Sequence, residues 1–212
     1  GLKLEPFLDK IQPQYIVLTG MEAPLMREAV QRDYGFYSHL DEGELVRPLT
    51  GYPSFPRYIL ERLPEQPDKC LFDFERGWPP GGTQTGTAFR RGPQRAGAGP
   101  RSIVIGQQGQ RMASSLAGRE GEAATGTYTS GAFELTGTSI SLLVGGGDNA
   151  QLRVELLVDG RTVHGASGTG LDILRQVQWD VSEHQGRQAQ LRIVDEDRSS
   201  HVLVDQVCLS SR

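Results

Sequence analysis

Two short β-rich stretches bracket most of the chain and limit what it can fold into. Cys70-Leu71-Phe72-Asp73-Phe74-Glu75 is answered near the other end by Leu203-Val204-Asp205-Gln206-Val207-Cys208. Each carries a cysteine and acidic side chains among strong β-formers, so they read as the first and last strands of one closed β domain. First and last strands of a sandwich often lie side by side, which would bring Cys70 and Cys208 within bonding distance. Closing so long a loop would remove about 4–5 kcal/mol of unfolded-chain entropy. A disulfide and a pair of buried free thiols both remain open on this reading. A bonded pair would point to an extracytoplasmic location, periplasmic or extracellular.

Between these ends, short β-like runs follow one another with glycine-rich punctuation. Candidates fall at 70–75, 101–105, 123–128, 131–135, 139–144, 151–159, 162–166, 173–180, 188–194 and 202–209. Asp159-Gly160 is a strong two-residue hairpin signal between two of them. With 27 glycines in no fixed period, and no convincing helix longer than a turn, a mainly β antiparallel jelly-roll sandwich is the expected architecture.

The N-terminal third reads differently. A helix end at 5–12, a strand at Tyr15-Ile16-Val17-Leu18-Thr19-Gly20 and a helix from Pro24 to Asp33 make a small α/β segment. From Gly43 to Asp68, Pro48, Pro53, Pro56, Pro64 and Pro67 argue against long regular structure. The expected division is therefore residues 1–66, an α/β segment with a proline-rich connection, and 67–212, the β-sandwich.

A formal charge of -4 gives no electrostatic reason to expect nucleic acid. Gly145-Gly146-Gly147 lacks the strand, helix and Lys-Ser/Thr context of a phosphate loop and reads as a flexible strand connection. Ser114 and Ser115 have no nucleophile-elbow context. Four scattered histidines give no zinc pattern.

Several segments of the larger part, in order, carry a family resemblance. They are Phe72-Asp73-Phe74-Glu75 with Gly77-Trp78, Gly86-Thr87-Ala88-Phe89, Gly126-Thr127-Tyr128-Thr129-Ser130 and Ile140-Ser141-Leu142-Leu143-Val144-Gly145-Gly146-Gly147. Further along come Val154-Glu155-Leu156-Leu157-Val158-Asp159-Gly160, Trp179-Asp180-Val181-Ser182 and Ala189-Gln190-Leu191-Arg192-Ile193-Val194-Asp195. Over about residues 70–210 the chain resembles the family 66 carbohydrate-binding modules associated with levanases, and related jelly-roll modules. The resemblance implies a non-catalytic β-sandwich that binds or positions glycan. Where such modules commonly have Gly-Gly-Trp-Gly-His, this chain has Asp197-Arg198-Ser199-Ser200-His201, so fructose recognition is not carried over. Residues 1–66 are more weakly similar, through Pro13-Gln14-Tyr15-Ile16-Val17-Leu18, to the soluble tail of membrane glycosyltransferases. That similarity implies a membrane-protein context and a glycosyltransferase parent.

Side chains able to meet sugar hydroxyls are Glu75, Trp78, Arg153, Glu155, Asp159, His164, Asp195 and His201. Carboxylates accept hydroxyl hydrogen bonds, arginine and histidine donate, and an aromatic ring can cover a sugar face. Period-2 alternation places Arg153, Glu155 and Asp159 on one strand face, and Gln190 and Arg192 repeat the pattern. Trp179 is expected between the sheets. Glu75 and Asp205 are either a brace joining the terminal strands or ligands of a structural calcium. The sequence thus predicts reversible glycan capture without bond chemistry and with no cofactor needed for it. The alternative is a structural or protein-interaction module in a membrane glycosyltransferase.

Overall fold

The chain divides into two units, residues 1–66 and 67–212. The computed structural model describes the backbone of residues 15–19, 34–40 and 57–62, and residues 69–95, 104–116 and 120–211. In the first unit, β1 (Tyr15–Thr19), β2 (Tyr34–Leu40) and β3 (Arg57–Arg62) form an antiparallel sheet in the order β1-β3-β2. Only β1 was legible from the apolar run. The strand at Arg57–Arg62 departs from the expected irregular connection: it falls between Pro56 and Pro64, where no proline interrupts Tyr58-Ile59-Leu60. The helices expected at 5–12 and from Pro24 to Asp33 lie outside the described residues.

The second unit is a two-sheet antiparallel sandwich. Its strands are β4 (Lys69–Phe72), β5 (Thr83–Gly86), β6 (Gln94–Arg95), β7 (Arg111–Ser114), β8 (Gly126–Thr129), β9 (Phe133–Glu134), β10 (Ser139–Gly146), β11 (Leu152–Val158), β12 (Arg161–Ala166), β13 (Leu171–Asp180), β14 (Gln188–Asp195) and β15 (Val202–Ser210). One sheet runs β13-β10-β15-β7-β6, with β4 also on β15. The other runs β12-β11-β14-β8-β5, with β9 also on β14. Among the described residues the helical content is a single 3-10 turn, Ser182–His184.

Period-2 alternation builds the core. Ile140, Leu142 and Val144 of β10 face Leu152, Val154, Leu156 and Val158 of β11 in one cluster, joined by Leu191 and Ile193 of β14 and Val202 and Val204 of β15. Full burial of each such side chain contributes roughly 1.5–3 kcal/mol. In β15 the inward parity passes from Val202 and Val204 to Val207 and Leu209. The change is made at Gln206, whose φ of 47° accompanies a register shift in the pairing with β10, between Cys208 and Asp205.

The terminal strands meet as expected. β4 pairs antiparallel with β15, Cys70 stands opposite Cys208, and the two are disulfide-bonded. The glycine triplet is not a flexible connection. Gly145 and Gly146 end β10, Gly146 has φ +87°, and any Cβ there would run into the His201 carbonyl. Trp179 lies between the sheets, 6% exposed, with the His164 ring stacked parallel to it at 5.7 Å.

Candidate functional site

On the outer face of the β12-β11-β14-β8-β5 sheet, alternation turns Arg153 and Glu155 away from the core. Antiparallel register then sets Arg192 of β14 directly opposite Glu155, and Gly165 of β12 on its other side. Glu155 is clasped by two guanidinium groups: Arg153 Nε donates to Oε1 at 2.8 Å and Arg192 Nε to Oε2 at 2.5 Å. Arg153 Nη1 also donates to Glu196 at 3.0 Å and to the Ala150 carbonyl at 2.9 Å, and Arg192 Nη2 reaches Thr162 Oγ1 at 3.3 Å. Burial pushes the Glu155 carboxyl upward, but the hydrogen bonds and charges of Arg153 and Arg192 outweigh it and hold Glu155 below the usual carboxylate range. A carboxyl so held stays ionised at neutral pH, which suits an acceptor and not the general acid of a glycosidase.

Glu155 therefore fixes two planar donor forks at the sheet surface. Arg153 Nη2 and Arg192 Nη1 have no hydrogen-bond partner among the described residues, and the two side chains are 27% and 35% exposed. Gly165 leaves open the space a side chain would fill beside Glu155, since its Cβ would touch only the Val154 carbonyl, at 3.7 Å.

The other expected ligand residues are placed elsewhere. Asp159 sits in the β11–β12 turn with φ 48° and pairs with Arg187, because β11 ends at Val158 and alternation stops there. Trp78 is no open platform: its ring stacks on Tyr128 at 4.0 Å and meets Phe74 and Phe89 edge-on, so it covers one end of the core. His164 has its ring on Trp179 and its Nε2 2.8 Å from the Asp180 carbonyl.

Asp195 and His201 lie buried together at one end of the sandwich. His201 Nε2 is 2.7 Å from Asp172, and Nδ1 faces Glu122 at 3.6 Å. Burial opposes the imidazolium, but Asp172 and Glu122 outweigh it and raise the His201 pKa. Burial pushes Asp195 up to about 6, against hydrogen bonds from Ser115 and the Asp197 N–H. Both shifts have the same sign for stability. A raised carboxyl favours the folded state at low pH and loses that advantage as pH rises from about 4 to about 6. A raised histidine contributes fully below its unfolded value and loses this as pH passes its folded one. Unfolding free energy is expected to be higher at pH 5 than at pH 7.5. Chemical denaturation of Asp195→Asn checks the carboxyl's share, at most about 3 kcal/mol; an unchanged slope would remove Asp195 as the cause.

Glu75 and Asp205 brace the loop that leads into β7. Glu75 Oε1 accepts the N–H groups of Gln110 at 2.7 Å and Arg111 at 2.8 Å, and Asp205 Oδ2 accepts that of Gln108 at 2.9 Å. Asp205 is wholly buried. Burial first, and then the neighbouring Glu75 and Asp73, push its pKa well above the usual range despite the N–H groups of Gln108 and Gln206. Among the described residues no three His, Cys, Asp or Glu side chains converge as a metal site.

No protein-family model matches the chain. Over 139 residues, 64% of the chain, it is 35% identical to a protein of Aspergillus rugulosus named "Putative glycosyl hydrolase ecdE". The chain spans 19% of that relative's length. Among solved structures it resembles the K1 cleaved adhesin domain of Lys-gingipain from Porphyromonas gingivalis W83, at 13% identity and a TM-score of 0.45, covering 66% of this chain and 96% of that one. It also resembles TmCBM61 in complex with β-1,4-galactotriose, at 14% identity and a TM-score of 0.47, covering 68% and 99%.

Proposed function

We propose that residues 67–212 are a non-catalytic glycan-binding module of a larger, extracytoplasmic carbohydrate-active protein. The observation that carries this reading is the Arg153–Glu155–Arg192 clasp, two donor forks fixed on the outer strand face. Sugar hydroxyls accept from the guanidinium N–H groups that Glu155 leaves unused, and Glu155 keeps the forks from rotating away. The disulfide supports an oxidising compartment. The relative named as a glycosyl hydrolase supports a carbohydrate-processing parent, and a module beside an enzyme raises the local concentration of its substrate.

The assembly alternative called for Glu155 in plain solvent and for a flat apolar patch formed by residues 45–60, whose side chains lie outside the described residues. Glu155 is buried between two arginines, and among the described residues Leu171 is the one large hydrophobic side chain that is exposed. A glycan array probed with residues 1–212 tests the reading. Binding confined to one glycan class supports capture, and an empty array overturns it.

Calcium at Glu75 and Asp205 belongs to the same proposal. Glu75 Oε2 has no hydrogen bond among the described residues, and a hard cation would relieve the repulsion among Asp73, Glu75 and Asp205. Thermal unfolding is expected several degrees higher in millimolar calcium than in chelator, a difference that Asp205→Asn removes. Equal midpoints would assign both carboxylates to the loop brace alone.

A further inference from the structure

The clasp does not stand alone on its sheet. Following the register outward, Gly165 pairs with Glu155, Glu155 with Arg192, Arg192 with Thr129, and Thr129 with Thr83. These five residues form one row perpendicular to the strands, from the edge strand β12 to the edge strand β5. With strands about 4.8 Å apart, the row is about 19 Å long.

Three features distinguish this row from the neighbouring one. The hydroxyls of Thr83 and Thr129 have no hydrogen-bond partner among the described residues, whereas Thr85 and Thr127 in the next row are bonded to each other at 2.8 Å. The next row is also interrupted by Val194, an apolar side chain only 1% exposed. Both ends of the first row are open: Gly165 raises no wall on β12, and Thr83 is exposed on β5. Charge adds a constraint on the ligand. Arg153 and Arg192 are balanced by Glu155 and Glu196, and the row beyond Arg192 is neutral, so nothing in it selects an anionic repeat.

We infer that the row is a track for an internal stretch of a neutral, extended polysaccharide lying across the strands, with Thr83 and Thr129 as outer subsites and the clasp as the inner one. A track open at both edges of the sheet admits a chain that continues past it, where a closed pocket would take only a chain end. The inference rests on the glycan-capture reading and adds the ligand's length and direction.

Its test is a titration by calorimetry with neutral oligosaccharides of one to six residues cut from β-glucan, xylan, galactan and levan. In the series that binds, affinity is expected to rise at least tenfold from the monosaccharide to the longest members. The double variant Thr83→Val, Thr129→Val is expected to lower hexasaccharide affinity about tenfold, with thermal unfolding confirming that the sheet is intact. Equal affinity for monosaccharide and hexasaccharide, both abolished by Arg192→Ala, would overturn the track and leave glycan capture standing. No binding in any series would overturn both. A length gain that survives the double variant would place the outer subsites elsewhere and overturn the assignment to this row.

Discussion

Replacing Cys70 and Cys208 together with serine is expected to lower the free energy of unfolding by about 4–5 kcal/mol. The size follows from where the bond lies. Its two ends are 138 residues apart in sequence, so it encloses nearly the whole sandwich and restricts almost every chain of the unfolded ensemble. In the folded state the two strands are already adjacent, with Phe72 and Val207 paired beside the bond and both in the core, so the native geometry survives its loss. The effect is therefore expected through the unfolded state. Denaturant unfolding should show a lower midpoint, and a somewhat larger slope because the reduced chain expands further. For a unit of this size the loss corresponds to roughly 10–20 °C in thermal midpoint. Reduction of the wild-type protein should reproduce the variant. A shift below about 1 kcal/mol in both would mean that the terminal strands remain paired in the denatured state.

That pairing was legible in the sequence because both strands announce themselves by β-branched and aromatic residues and because terminal strands tend to be neighbours. The long strands from Ser139 onward were legible for a related reason: β10 and β11 are buried along almost their whole length and β14 along its inner face, so burial imposes an apolar run that marks each strand. Strand β5 was missed because Thr83-Gln84-Thr85-Gly86 is exposed throughout, which removes the apolar period that marks a strand. Strand β7 was missed because only Met112 and Ala113 signal it between Arg111 and Ser114.

The candidate site divides along the same line. Alternation within one strand was enough to put Arg153 and Glu155 on a common face. Bringing Arg192 onto Glu155 required the β11–β14 register, which no local pattern encodes. Asp159 was assigned to that face by extending alternation one step past the strand's end, into a turn that reverses it. Asp195 and His201 looked like exposed acceptors and donors because they sit at strand ends, where sequence does not distinguish a rim from a plug. Asp172, which engages His201, lies 29 residues away and reaches it only through the topology.

Arg192→Ala is expected to weaken glycan binding by about 100-fold, or about 2.7 kcal/mol, while changing the thermal midpoint by only a few degrees. The large effect on binding follows from its two functions. Arg192 presents an unused N–H group to the ligand, and through Nε it fixes one oxygen of Glu155, which in turn sets the plane of Arg153. Losing it removes one fork and loosens the other. The small effect on stability follows from its partial exposure, 35% for the side chain, and from Arg153, which still neutralises Glu155. Arg192→Lys is expected to fall nearly as far, because an ammonium cannot bridge Glu155 and a hydroxyl in one plane. Glu155→Gln keeps the shape and removes the charge that orients both guanidinium groups, so it too should reduce affinity more than tenfold. Arg161→Ala, in the exposed β11–β12 hairpin and outside the clasp, is the control and should bind as wild type. Since Glu155 is held below the usual carboxylate range, wild-type affinity should stay flat from pH 5 to pH 8 and decline only as the clasp protonates in stronger acid. Calorimetric titration against the glycan class found on the array measures all of these. Binding by Arg192→Ala within threefold of wild type would move the sugar site off this face and leave the clasp as a brace between β11 and β14.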